Sequence, residues 1–138
     1  MGPAFEHPVE VRWRDTDALG HVNHAVFLSY LEEGRDAFFM QALGGDPNYV
    51  VARLEIDFRA EVRHSHGRVL VRIEAERLGT SSLTTRETIL TPAQEVAAEA
   101  RAVTVRWDRR GRKPVPFTDA ERARLTAAGP RPGTGEAP

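Results

Sequence analysis

The 138-residue chain is predicted to form one α+β domain in which a curled antiparallel sheet packs against a single long helix. Three features of the sequence lead there. Apolar residues recur at three- and four-residue spacings from Asn23 or His24 to about Leu43, the longest helical pattern in the chain. After it, the stretch from Val50 to Trp107 alternates apolar and polar side chains in blocks separated by Gly-, Pro- and Ser-bearing turns. One helix and one sheet have chiefly each other to bury against, so the sheet is expected to curl around the helix.

In order, Val9, Val11 and Trp13 alternate with Glu10, Arg12 and Arg14 as a first strand. A polar turn follows from Asp15 to Asn23, with Gly20 where positive φ or close backbone approach is needed. The helix turns Phe27, Tyr30, Leu31, Phe38 and Ala42 inward, with Glu32, Glu33, Arg35, Asp36 and Gln41 on the other side. Gly34 within it marks a close helix–sheet contact, and Gly44-Gly45 with Pro47 is its stop. A long strand with one dry face, Val50 to Val62, breaks at an exposed turn, His64-Ser65-His66-Gly67. Arg68–Leu78, Leu83–Leu90 and Glu95–Trp107 complete the sheet as successive hairpins, with a bulge expected near Ala102 and Val103. Trp13 and Trp107 are expected as core or interface aromatics. Thr118-Asp119-Ala120-Glu121 is a capping box opening a short helix to about Ala128. The domain spans residues 1–128, and residues 129–138, with nothing to bury, are expected to be a disordered tail.

Composition narrows function. A net charge of −1 lacks the footprint of a general nucleic-acid binder. With no cysteine, disulfides, thiolate catalysis and Cys-type metal sites are excluded, so any nucleophile is an oxygen or a nitrogen. No targeting segment or bilayer-length apolar run is apparent, and a cytoplasmic protein without membrane insertion is expected. The outer sheet edge and part of the helix stay uncovered in one copy, so a two-fold homodimer is the expected completion.

The chemistry concentrates in Asp15-Thr16-Asp17-Ala18-Leu19-Gly20-His21-Val22-Asn23-His24. Two carboxylates, two imidazoles and an amide precede or begin a helix, whose free N–H groups and positive dipole end favour developing negative charge. That setting suits acyl transfer. His21 and His24 with the two aspartates have ligand-like spacing, but four ligands within one turn are strained, and no metal is expected. Asp15 is expected as a turn residue paired with a backbone N–H or an arginine, and Asn23 as an N-cap or an orienter of water.

This stretch, continued by Ala25 and by Phe27-Leu28-Ser29-Tyr30-Leu31-Glu32-Glu33-Gly34-Arg35, resembles the signature of hot-dog-fold acyl-CoA thioesterases of the 4-hydroxybenzoyl-CoA thioesterase-like family. Ile56-Asp57-Phe58 and Gly79-Thr80-Ser81-Ser82 resemble two further family landmarks. The resemblance implies a hot-dog fold and a dimer or dimer of dimers with sites at the subunit interface. It implies that Asp17 attacks the thioester carbonyl or activates water, while an amide near His24 polarises the carbonyl. Ser81 and Ser82 are implied contacts of the pantetheine or nucleotide part of coenzyme A. Arg59, Arg63, Arg109, Arg110 and Arg112 are candidate phosphate contacts, and Gly20 shapes the turn that aims Asp17.

One carboxylate and one oxyanion donor suffice for such a reaction, because the departing thiol has a pKa of about 8.5 and needs no strong acid. No metal or redox cofactor is required, coenzyme A entering only as part of the substrate. Two other functions fit the same pattern. One is a non-catalytic module binding acyl-CoA or acyl carrier protein, and the other is a hydratase or dehydratase on this fold.

Overall fold

The computed structural model describes residues 4–45 and 48–127. Strand β1 (Phe5–Glu10) leads through a 3₁₀ turn at Trp13–Asp15 into α1 (His24–Leu43), then β2 (Tyr49–Phe58) and a second 3₁₀ turn at His64–His66. β3 (Arg68–Leu78), β4 (Ser82–Leu90), β5 (Val96–Asp108), a two-residue β6 (Lys113–Pro114) and α2 (Asp119–Ala127) follow. The first strand thus lies earlier than the alternation from Val9 to Trp13 suggested. Trp13 falls on the 3₁₀ turn and is 75% exposed, so it is not a core residue.

The sheet is antiparallel in the order β1-β3-β4-β5-β2, with β6 paired to the end of β5. The expectation of successive hairpins holds from β3 to β5 but fails between β2 and β3, because β2 crosses to the far edge and pairs only with β5. Register shifts bend three of the pairings, and the one opposite Val103 and Thr104 falls on β2 between Val51 and Arg53 instead of on β5.

Helix α1 packs across β1, β3 and β4 and leaves β2 largely bare. This leaves part of the predicted dry face of β2 open: Val50, Ala52 and Phe58 are exposed, while Leu54 and Ile56 are half-buried against the core. Phe27, Tyr30, Leu31, Phe38 and Phe39 meet Val69, Val71, Ile73, Leu83 and Ile89 in the core. At Gly34 the helix backbone comes so close to β3 that an added Cβ would stand 2.4 Å from Val71 Cγ1, the expected reason for that glycine.

Arg35 departs from the polar side assigned to it. It is 3% exposed and grips Glu87 of β4, itself fully buried, through Nε at 3.0 Å and Nη2 at 2.6 Å. Thr85 Oγ1 donates to the same carboxylate at 2.8 Å. Both carboxylate oxygens thereby meet donors, the condition for carrying charge in a core.

The helix ends are closed as the sequence indicated. Gly44, at φ 84°, terminates α1 and returns its N–H to Met40 O. Thr118 and Glu121 exchange side-chain and backbone bonds to begin α2. Arg124 Nε of α2 donates to Ala42 O at 2.6 Å, pairing a carbonyl in the last turn of α1. Pro47, Ala128 and the proposed tail at residues 129–138 lie outside the described residues. No helix among the described residues is long and apolar enough to cross a membrane.

Candidate functional site

The loop from Asp15 to Asn23 is built as a small closed ribbon. Thr16 bridges Val22, Asp17 N donates to His21 O at 3.0 Å, and Gly20 N donates to Asp17 O at 3.0 Å. Gly20 stands at φ +85°, the left-handed conformation this turn requires. Val22 N reaches Val62 O at 2.7 Å, and Asn23 N reaches Asp15 O at 3.0 Å, which ties the ribbon to the segment after β2 and to its own start.

Asp15 is buried beneath this ribbon. Its Oδ2 accepts from Arg12 N at 2.9 Å and from Tyr30 Oη at 2.7 Å, with the Arg12 guanidinium beside it. Burial pushes its carboxyl up, but the bonds from Tyr30 and Arg12 outweigh that and hold it below the usual carboxylate value. Burial and the bond to Asp15 push the Tyr30 hydroxyl far up, fixing it as the donor.

Asp17 is placed differently. Its Oδ1 accepts from Leu19 N at 2.8 Å and its Oδ2 from Asn23 Nδ2 at 3.3 Å. The Leu19 amide foremost, with Asn23 and the neighbouring His21, lowers its carboxyl below the usual value. Asn23 is also the N-cap of α1, its Oδ1 accepting from Ala25 N at 2.9 Å. One amide side chain therefore fixes the carboxylate of Asp17 to the start of the helix. Ala25 N is used by that cap and Val26 N by Asn23 O, whereas the His24 N–H has no acceptor among the described residues.

Asp17, His21 and His24 open onto a cleft of about 410 Å³ whose remaining lining includes Val22, Phe27, Phe58 and Arg59. The His24 ring stands edge-on to Phe58 at 6.0 Å, and Phe27 meets Phe58 at 5.4 Å, so an aromatic wall faces a polar rim. A cleft of this make-up, apolar on one side and polar on the other, suits a ligand with one apolar and one polar end.

The structure thus brings together Asp17, Gly20, Asn23, His24 and Arg59. Arg59 is exposed at the rim and holds Glu99 at 3.1 Å. Ser81 and Ser82 are not brought to this cleft within one chain. Ser81 lies in the β3–β4 turn, where Arg106 N reaches Ser81 O, and Ser82 begins β4, after the 11-residue β3. Neither lines the cleft. Phe27 and Phe58 were legible only as members of apolar faces, and their place in the cleft follows from the gap between α1 and β2. Among the described residues no group of three or more histidine, aspartate and glutamate side chains is set to hold a metal ion.

Comparison with known proteins agrees with this architecture. A thioesterase from Thermus thermophilus, whose crystal structure is complexed with coenzyme A and Zn, is 36% identical and superimposes with a TM-score of 0.76 over 87% of this chain and 90% of its own. A predicted thioesterase from Bacillus stearothermophilus is 27% identical, with a TM-score of 0.78 over 92% of this chain and 98% of its own. The uncharacterized protein YsmA of Bacillus subtilis (strain 168) is 27% identical over 126 residues, 88% of this chain and 85% of that protein. Residues 11–125 match the family described as the thioesterase-like superfamily. With its curled antiparallel sheet, its helices and this match over most of its length, the chain belongs to the thioesterase-like superfamily and has the hot-dog fold.

Proposed function

We propose that this protein hydrolyses an acyl-CoA thioester to the free acid and coenzyme A. The observation that carries the reading is the double use of Asn23, which caps α1 and holds Asp17 against the same helix start where the His24 N–H has no acceptor among the described residues. Asp17 attacks the acyl carbon or takes the proton of an attacking water, and the His24 amide stabilises the oxyanion that develops on the carbonyl. One such donor contributes about 3 kcal/mol, and the helix dipole adds to it. The acyl group lies against Phe27 and Phe58, with Gly20 shaping the turn that aims Asp17. Coenzyme A bound to the Thermus thermophilus relative supports the choice of thiol carrier.

The working unit in this proposal is a two-fold dimer joined along β2. In support, β2 is an edge strand, and Val50, Val51 and Phe58 on it, with Leu28 and Met40 on α1, are exposed. Antiparallel pairing of two such edges sets the Tyr49 end of one copy beside the Phe58 end of the other. Ser81 sits with Arg106, which pairs with Tyr49, so Ser81 and Ser82 of the partner subunit approach the cleft and hold the coenzyme A.

A panel of short-chain, medium-chain and aromatic acyl-CoA thioesters assayed for free thiol tests the activity. Asp17→Asn is expected to lower turnover by about 10²-fold or more while substrate still binds. Saturable binding without thiol release by the wild-type protein would make it a binding module, and undiminished turnover in Asp17→Asn would remove Asp17 from the reaction.

A further inference from the structure

Four cationic side chains fall within five positions, Arg109, Arg110, Arg112 and Lys113, where β5 turns into β6. All four are exposed, and none forms an ion pair with a carboxylate among the described residues. Arg59, Arg63 and Arg106, by contrast, are each paired with a glutamate. The acid of the turn, Asp108, is engaged with the backbone: its Oδ1 accepts from Arg110 N at 3.0 Å, and its main-chain oxygen accepts from Arg112 N at 2.7 Å. A chain of net charge −1 therefore gathers uncompensated positive charge at one point, where like charges repel and a bound anion relieves them.

An aromatic ring stands beside these cations. Trp107 is half-buried and, with Asn48, Arg109, Arg110 and Val115, lines a hollow of about 390 Å³. Unpaired guanidinium groups next to an indole on a concave surface have the chemistry to hold a phosphorylated purine nucleotide, the forks taking phosphate oxygens and the ring taking the base. The hollow and the Asp17 cleft stand at opposite ends of β2, since Arg106 pairs with Tyr49 and Trp107 N reaches Asn48 O, whereas Phe58 walls the cleft. They are therefore far apart in one copy. In the two-fold pairing along β2 proposed above, the Tyr49 end of one copy lies beside the Phe58 end of the other, and the cationic turn extends past Tyr49 toward that copy's cleft. Ser81, whose main-chain oxygen accepts from Arg106 N at 2.8 Å, belongs to the same end of the sheet.

We infer that the β5–β6 turn binds the phosphorylated nucleotide end of an acyl-CoA whose acyl group occupies the Asp17 cleft of the other subunit. The inference rests on the thioesterase and dimer readings above and narrows them. Of the arginines that the sequence offers as phosphate contacts, it selects Arg109 and Arg110 at the hollow, with Arg112 and Lys113 adding to the field, over Arg59 and Arg63, whose charges are already paired. Trp107 is the stacking surface for the base. Arg109, Arg110 and Trp107 are then the residues by which the protein tells coenzyme A from a bare pantetheine thioester.

The test compares hexanoyl-CoA, hexanoyl-3′-dephospho-CoA and S-hexanoyl-pantetheine as substrates of the wild-type protein and of Arg109→Gln with Arg110→Gln, urea unfolding verifying that the variant is folded. Wild-type kcat/KM is expected to fall from the first substrate to the third, and the double variant to narrow that preference by about 10-fold, through KM. Added salt narrows it in the same direction. Adenosine 3′,5′-bisphosphate is titrated into Trp13→Phe, which leaves Trp107 as the one indole. It is expected to quench the emission, and to bind about 10-fold more weakly once Arg109 and Arg110 are replaced. A mixed dimer of one Asp17→Asn subunit and one Arg109→Gln/Arg110→Gln subunit, purified by different tags, is expected to show the wild-type KM, because its one working cleft faces the intact turn. An unchanged substrate preference in the double variant, or no binding of the bisphosphate by an active wild-type protein, would overturn the inference and leave the thioesterase reading standing. A mixed dimer with the double variant's KM, or a protein that sediments as a monomer, would overturn it as well, since the turn would not serve a second subunit's cleft. So would a loss confined to an acyl carrier protein thioester, which would make the turn a docking face for that acidic protein. Quenching by the bisphosphate in a wild-type protein that releases no thiol would support the nucleotide subsite while the thioesterase reading fails.

Discussion

Arg35 of α1 and Glu87 of β4, 52 positions apart in the chain, form a two-point ion pair in the interior with Thr85 as a third partner. Removing one member strands the other charge where water does not reach it. Arg35→Met is expected to cost about 3–5 kcal/mol in urea unfolding, whereas Arg35→Met with Glu87→Leu recovers most of that loss or exceeds the parent. A double replacement as unstable as the single one would mean that the pair is not insulated from solvent.

Gly34 and Val71 make a second prediction about the same helix. Alanine at position 34 improves helix propensity by about 1 kcal/mol, but its Cβ would lie 2.4 Å from Val71 Cγ1. Overpacking of this kind costs about 1–3 kcal/mol, so Gly34→Ala is expected to lower the thermal midpoint. Val71→Ala removes the obstructing methyls. The double variant is expected to lose less than the sum of the two single changes, as read in a double-mutant cycle.

Asn23→Ala should separate the capping role of that side chain from its hold on Asp17. Loss of the cap costs about 1 kcal/mol of stability. Loss of the Nδ2 donor removes one of the bonds that lower the Asp17 carboxyl, so its titration moves up toward the ordinary aspartate range. Asn23→Ser is expected to restore the stability but not the titration, with urea unfolding reading the first and NMR of the side-chain carboxyl the second.

The pH dependence of stability should register Asp15. Its carboxyl is held below the ordinary value of 3.8, so it contributes stability that is fully present above that pH and is lost as pH falls through its lowered folded value. Tyr30→Phe deletes a hydrogen bond to this carboxylate, a bond of a class that contributes about 1.5–3 kcal/mol. The stability gap between wild type and Tyr30→Phe is expected to be widest near pH 7 and to narrow as the solution is acidified toward pH 2. A gap that does not change with pH would mean that Asp15 is not the acceptor that matters.

Much of this was legible in local sequence. Asn23, Gly20, Gly44 and the Thr118–Glu121 box are features whose physics is complete within a few residues, and each stands where the sequence placed it. Gly34 was legible because an internal helical glycine needs a reason. Strand partners were not, since nothing in Tyr49–Phe58 states that the next strand belongs beside β1 and not beside β2. The burial of Arg35 was hidden for a related reason. Its partner, Glu87, shares the inner face of a strand far along the chain with Leu83 and Ile89, and only the fold brings the two charges together. At the site, the helix start could be read from the apolar pattern and Asp17 was singled out by the resemblance of its motif, whereas the aromatic wall depends on a gap that only packing creates.

The strand order β1-β3-β4-β5-β2 bears on how the chain assembles as it is made. The two strands earliest in this sequence occupy the outermost positions, and their partners among the described residues, β3 and β5, come later in the chain. During translation the first half of the protein therefore has a helix but no sheet to rest it on. The meander from Arg68 to Asp108 supplies the nucleus onto which both margins are added. A nascent chain halted before that meander leaves Phe27, Phe38 and Phe39 without the strands that bury them in the finished fold, and exposed apolar surface of this kind favours aggregation.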